Sequence, residues 1–261
     1  MPPKPTLIFV PGAWYPVDTW TKVTTLLEAK DYKCVCVTLP SSSTSDPSTT
    51  FLDDVTAVRA AILAETTQGT DVVVVVHSYG GLPGHSASKG LTRPKTLHPS
   101  LAVDKEEGYV IGFVMLASGF TMTGMSFLGG LGGKPPPSWE ADTASGFAVI
   151  LAEPRDMFFH DLPEEEGNYW VSRLEKQSLK ALAEGGEHAY AGWMDAPVWY
   201  LQTREDRALP VLAQRMFVQM ARNAGGDVTV REVESGHSPM LSRAGETVGV
   251  VEEAVADFLG R

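Results

Sequence analysis

Residues 71–81 read DVVVVVHSYGG, and this stretch decides the fold. Valines are β-branched and apolar, and five in a row have the composition of a strand buried on both faces of a parallel sheet. The run stops abruptly at His77-Ser78-Tyr79-Gly80-Gly81. A serine between such a strand and paired glycines suits a nucleophile elbow. The turn forces the serine into a strained conformation, and the helix that follows begins with its N–H groups aimed at the serine's neighbourhood. One position departs from the G-x-S-x-G pattern: its first small residue is Val76.

Working outward, short apolar runs predict strands at 6–10, 32–39, 71–76, 109–117, 198–203 and 228–233. Apolar residues at helical spacing predict helices at 18–30, 51–66, 79–90, 209–224 and 246–259. Alternation of this kind implies an α/β fold with a parallel sheet and helices on both faces. Residues 91–108 are polar and contain proline, which predicts a surface loop. The alternation lapses over 118–195. That stretch holds Gly129-Gly130-Leu131-Gly132-Gly133, then Pro135-Pro136-Pro137, and many large apolar side chains, including Phe127, Trp139, Phe147, Tyr169, Trp170 and Trp193. A connector followed by amphipathic helices predicts a helical cap (118–195) inserted into a core domain formed by 1–117 and 196–261. The glycine run suggests a hinge. No internal repeat is visible.

The formal charge is −11, from 21 basic and 32 acidic residues. That balance argues against nucleic acid or an anionic membrane as a partner, because both reward a basic surface. Cys34 and Cys36 are the two cysteines. On one strand face their Cα atoms would be roughly 7 Å apart, at the limit for a disulfide, and they read as small buried hydrophobes. Two cysteines make neither a disulfide framework nor a cysteine-rich metal site. With no leader or membrane span in evidence at the sequence level, the expected location is cytoplasmic.

Two further strand ends carry chemistry. The coil after 198–203 holds Arg204-Glu205-Asp206-Arg207, and the coil after 228–233 holds Glu234-Ser235-Gly236-His237. In an open α/β sheet ligands bind at such ends. Ser78, Asp206 and His237 thus stand in the chain order serine, acid, histidine. A serine hydroxyl needs an imidazole to take its proton, and a carboxylate to fix the tautomer and stabilise the imidazolium. The oxyanion needs donors already in place. The N–H of Tyr79 is one, and the turn Pro11-Gly12-Ala13-Trp14 can supply a second from Ala13. Taken singly, Ser78 could be a helix N-cap, Gly236-His237-Ser238 a surface loop and Asp206 a charged coil residue; their joint placement favours a triad. His77 reads as a packed core histidine. His85, His98, His160 and His188 form no metal-ligand spacing, so no metal site is expected.

These features together resemble the α/β-hydrolase superfamily. More narrowly, the chain is similar to the plant methylesterase and hydroxynitrile-lyase group and its fungal relatives. The resemblance is carried by Pro11-Gly12-Ala13-Trp14 with Trp20, by His77-Ser78-Tyr79-Gly80-Gly81, by the strand leading to Asp206, and by Ser235-Gly236-His237-Ser238-Pro239-Met240. Met157-Phe158-Phe159-His160-Asp161-Leu162-Pro163 resembles a cap motif of the fungal members. The resemblance implies a mostly parallel six-stranded sheet, a helical cap, no cofactor and the triad named above. Pro11 stands where many members have histidine, and the lysine that lyases carry after the catalytic histidine is absent from Ser238-Pro239-Met240-Leu241.

The expected reaction is therefore serine hydrolysis of an ester or lactone in an apolar, aromatic or polyketide-type small molecule. C–C cleavage or formation in a β-diketone is the alternative on the same triad, and a receptor-like binding protein a third reading. The residues expected to line the pocket are Trp14, Phe120, Phe158, Phe159 and Met240, together with Tyr79. The expected partner is the small apolar substrate, with a homodimer left open.

Overall fold

The computed structural model describes residues 3–94 and 107–261. Strands and helices first alternate: β1 (Thr6–Val10), α1 (Thr21–Glu28), β2 (Cys34–Cys36), α2 (Phe51–Thr66), β3 (Val72–His77), α3 (Gly81–Ala87) and β4 (Val110–Leu116). An irregular stretch follows, with α4 (Phe127–Gly130), β5 (Trp139–Asp142), β6 (Phe147–Ile150), α5 (Pro154–Phe158), α6 (Glu164–Ser172), β7 (Gln177–Ser178) and α7 (Leu179–Ala183). Regular alternation resumes with β8 (Val198–Thr203), α8 (Val211–Asn223), β9 (Val228–Val233), α9 (Pro239–Ser242) and α10 (Ala244–Leu259).

Among the described residues, six strands form one sheet in the order β2-β1-β3-β4-β8-β9, and every pairing in it is parallel. The valines of β3 are wholly buried, as a central strand covered on both faces requires. Helix α1 packs with α10 and α2 with α3, as the flanking layers. Helix α2 starts at a capping box, in which Thr50 and Asp53 satisfy each other's backbone N–H. Gly112 in β4 leaves room for the Phe258 ring of α10; a Cβ there would lie 2.4 Å from it. The chain leaves β1 towards β2 and returns to β3 on β1's other side. The carboxyl ends of β1 and β3 therefore flank the crevice where such sheets hold ligands.

Three expectations need correction. The strand expected at 32–39 is confined to β2, three residues at the sheet edge. Pairing there comes from β1 alone, so the cysteines are less covered than expected: Cys34 is half-buried, Cys36 is exposed, and both are free. The helix expected at 79–90 begins as a 3₁₀ turn, Ser78–Gly80, and becomes α-helical at Gly81. The intervening stretch is also less helical than expected. Its β5, β6 and β7 form an antiparallel three-stranded sheet, with the β5–β6 turn closed at Gly146, φ 76°. Strands of two to four residues are too short to register as a period. The loop expected at 91–108 falls largely outside the described residues, as does His98. Among the described residues no helix is long and apolar enough to cross a membrane.

Candidate active site

Ser78 follows the last residue of β3 and has φ 49°. That is the left-handed region, which costs a non-glycine residue on the order of 1–2 kcal/mol. The strain is maintained by close packing around the turn. A Cβ at Gly80 would lie 2.4 Å from the Pro11 carbonyl oxygen, and one at Gly81 would meet Ser118 Oγ at 2.2 Å. Only glycine lets the chain after Ser78 pass so close. Val76, the departure from the elbow pattern, is accommodated from the opposite side. It is fully buried, and a Cβ at Gly84 in α3 would sit 2.6 Å from its Cγ1. The small residue that the elbow needs for helix–strand contact is thus on the helix.

His237 lies between β9 and α9 and is buried. Its Nδ1 is 2.8 Å from Asp206 Oδ2. Asp206, just after β8, also accepts the backbone N–H groups of Ala208 (2.9 Å) and Leu209 (2.7 Å), and the Thr203 hydroxyl (2.8 Å). An ionised carboxylate with this many donors is held in one orientation. It accepts a hydrogen bond from His237 Nδ1–H, which keeps the proton on that nitrogen and leaves Nε2 with its lone pair. The histidine's backbone is fixed as well. His77 Nε2 donates to the His237 carbonyl at 2.8 Å, while burial and the neighbouring His237 hold the His77 pKa well below the ordinary histidine value. His77 is therefore a neutral strut within the core. Asp161, from the motif segment 157–163, accepts the Gly236 N–H at 2.7 Å and the Ser235 hydroxyl at 3.1 Å. The Tyr15 hydroxyl bonds Ser238 Oγ at 2.8 Å, and that oxygen donates to the Phe158 carbonyl at 2.9 Å.

The two expected oxyanion donors belong to segments that adjoin Ser78. Tyr79 is in the first turn of a helical segment, where N–H groups have no partner within the helix. Ala13 follows Gly12, and a Cβ on Gly12 would be 3.1 Å from Ser78 Cβ; the turn after β1 thus abuts the serine. That turn is braced from the irregular stretch: Trp14 Nε1 donates to the Ala148 carbonyl at 3.0 Å, and the Glu175 N–H donates to the Trp14 carbonyl at 2.8 Å.

Ser78 and His237 face a common cavity of about 430 Å³. Of the expected lining residues, Trp14, Tyr79, Phe120 and Phe158 are on its wall. Phe159 and Met240 are not: both are fully buried. Phe159 packs on Tyr15 and Phe158, and Met240 belongs to the short helix α9, directed into the core. Wall residues that were not foreseen include Met122, Met125, Met157, Met220, Leu131 and Phe217. Methionines and α8 residues carry no chemical signature, so only their placement identifies them. Among the described residues, no Asp, Glu, Lys or Arg lines the cavity. Among the described residues, no group of three His, Cys, Asp or Glu side chains is placed to hold a metal ion.

A strained serine at the end of the central strand β3, with an Asp–His pair after β8 and β9 of the same parallel sheet, defines the α/β-hydrolase arrangement. The sequence description of the alpha/beta hydrolase family matches residues 7–250, and the chain belongs to that family. It is similar to the alpha/beta hydrolase nvfD of Aspergillus novofumigatus, 30% identical over 258 residues and 98% of each chain. Among solved structures it shares its fold with the Arabidopsis methylesterase MES16 (TM-score 0.69, 18% identity, 97% of this chain and 99% of that one). It shares it too with tomato Methylketone Synthase I (TM-score 0.73, 15% identity, 98% and 99%).

Proposed function

We propose that the protein is a serine hydrolase acting on an ester or lactone bond of a neutral, largely apolar small molecule through an acyl-enzyme. The observation that carries this is the meeting of Ser78, at left-handed φ, and His237, bonded to buried Asp206, in one cavity that no Asp, Glu, Lys or Arg among the described residues lines. Ser78 Oγ attacks the carbonyl carbon as His237 Nε2 takes its proton. The carbonyl oxygen becomes an oxyanion held by the N–H groups of Ala13 and Tyr79. The intermediate collapses, and the departing alkoxide leaves as an alcohol with the proton from His237. Water then attacks the acyl-enzyme, again giving its proton to His237, and the acid product departs as Ser78 Oγ recovers a proton. Asp206 stays ionised throughout and stabilises the imidazolium.

The substrate class follows from the wall. An uncharged, methionine-rich lining solvates no carboxylate or ammonium group, so burying an ionised substrate there would cost several kcal/mol. The esterase named among the structural neighbours supports the reaction class. The test is fluorophosphonate labelling with peptide mapping, followed by product analysis on matched neutral and anionic aryl esters and lactones. Ser78 alone is labelled and the neutral compounds are hydrolysed. A folded protein without label on Ser78 sinks the mechanism. Preference for anionic esters sinks the substrate class, and products of C–C cleavage alone would put β-diketone chemistry in its place.

A further inference from the structure

The oxyanion donor Tyr79 N–H belongs to the peptide unit that joins Ser78 to Tyr79, and both ends of that unit are held by buried side chains. Ser118, just beyond β4, is fully buried, and its Oγ donates to the Ser78 carbonyl at 2.6 Å. Its own carbonyl accepts the buried Tyr200 hydroxyl at 2.7 Å, which fixes Ser118 in turn. On the other side of the unit, the Tyr79 hydroxyl donates to Asp54 Oδ2 at 2.7 Å. Asp54, in α2, is fully buried and also receives Ser41 Oγ at 2.6 Å and the Ser41 N–H at 2.9 Å. Gln177 in β7 donates to Ser41 Oγ at 2.9 Å. Each of these Asp54 contacts comes from a neutral donor. A buried carboxylate with no cation among them costs several kcal/mol of desolvation, and an apolar pair of similar volume would fill the space without that penalty. The arrangement supplies direction in return.

A trans peptide is planar, so its C=O and N–H point in opposite directions. Holding the Ser78 carbonyl therefore aims the Tyr79 N–H, and anchoring the Tyr79 side chain removes the remaining freedom to tilt. We infer that Ser118 and Asp54 are positioning residues that clamp the Ser78–Tyr79 peptide from both ends, so that its N–H meets the oxyanion already oriented. Preorganised donors of this kind are worth most because nothing needs to reorient as charge develops. The inference rests on the reading of Ser78 as the nucleophile. It adds Ser118, Asp54 and Ser41, which lie outside the serine, histidine and acid positions.

The experiment compares wild type, Ser118→Ala and Tyr79→Phe, each of which removes one hydroxyl and keeps the backbone donor. An aryl trifluoromethyl ketone, which adds to the serine as an oxyanion, is paired with the matching methyl ketone, which does not. Both variants lower kcat about ten-fold and weaken the trifluoromethyl ketone by a similar factor. KM and methyl ketone affinity move less than about two-fold, and circular dichroism matches wild type. Equal losses for the two ketones mean general damage to the cavity and overturn the clamp. So does unchanged affinity for both in variants still labelled at Ser78. If wild type itself takes up neither fluorophosphonate nor the trifluoromethyl ketone, the nucleophile reading fails first and the clamp with it.

Discussion

The floor of the cavity and its walls are built on opposite plans. On the floor, Asp206 holds His237 and is itself held by two backbone N–H groups and a hydroxyl, and Ser78 is pinned through its carbonyl. On the walls, Met122 and Leu131 are 46% and 42% exposed, and Met220 is 38% exposed. Those side chains are flexible and apolar. The difference separates the chemistry, which tolerates little displacement, from substrate fit, which a soft wall can adjust.

The largest effect expected on breaking this division is at the floor. Ser78→Ala lowers kcat by about 10⁴-fold or more, with Tm within a few degrees of wild type; steady-state kinetics beside a thermal melt measures both. Asp206→Asn follows, with a loss of about 10³–10⁴-fold, since the amide favours the wrong His237 tautomer while the backbone N–H contacts persist. At the walls the effects shrink to selectivity. Met125→Ala or Leu131→Ala shifts the ratio of kcat/KM between long and short neutral esters by about ten-fold, and leaves kcat on a small ester nearly unchanged. A loss of kcat on all substrates would mean that these residues belong with the floor.

Asp54 offers a test by pH. Burial, opposed by the Ser41 hydrogen bonds, pushes its pKa up to about 6. A carboxyl raised on folding contributes most to stability below its unfolded pKa, and the contribution is lost as pH rises through the folded value. The Tm of wild type relative to Asp54→Asn therefore declines between pH 4 and 7, as paired melts would detect; a rising or flat difference contradicts this. The smallest effect concerns strain. Ser78→Gly is more stable than Ser78→Ala by about 1 kcal/mol, since glycine accepts the left-handed φ without a Cβ clash.

The same contrast explains what the sequence made legible. Strands 6–10 and 198–203 and helix 51–66 coincide with β1, β8 and α2, because buried parallel strands and capped helices leave strong local patterns, and strand 228–233 coincides with the edge strand β9. The strand ends placed Ser78, Asp206 and His237 as candidates, and the structure brings Ser78 and His237 to one cavity with Asp206 bonded to His237; of the aromatic candidates, Trp14, Phe120 and Phe158 reach the cavity wall. The methionine wall was not, since a methionine on an irregular segment reads alike in core, surface and pocket. Ser118, Asp54 and Asp161 were missed for a related reason. Each acts through a partner far away in the chain, and Ser118 to Ser78 alone spans 40 residues. The β5–β7 sheet was missed because its strands gain their regularity from one another.

Val76 and Gly84 have a consequence for how this turn can change over time. With a Cβ at Gly84 set to lie 2.6 Å from Val76 Cγ1, Gly84 is not free to grow while Val76 keeps its size. An alanine at 84 would improve helix propensity by about 1 kcal/mol, but only after valine has first shrunk. A path from this elbow to one with glycine before the serine must therefore run in a fixed order. First Val76 contracts, leaving a small cavity and a less stable chain; then Gly84 grows to fill it. The reverse order passes through a clash beside the turn that carries Ser78, and selection would close it.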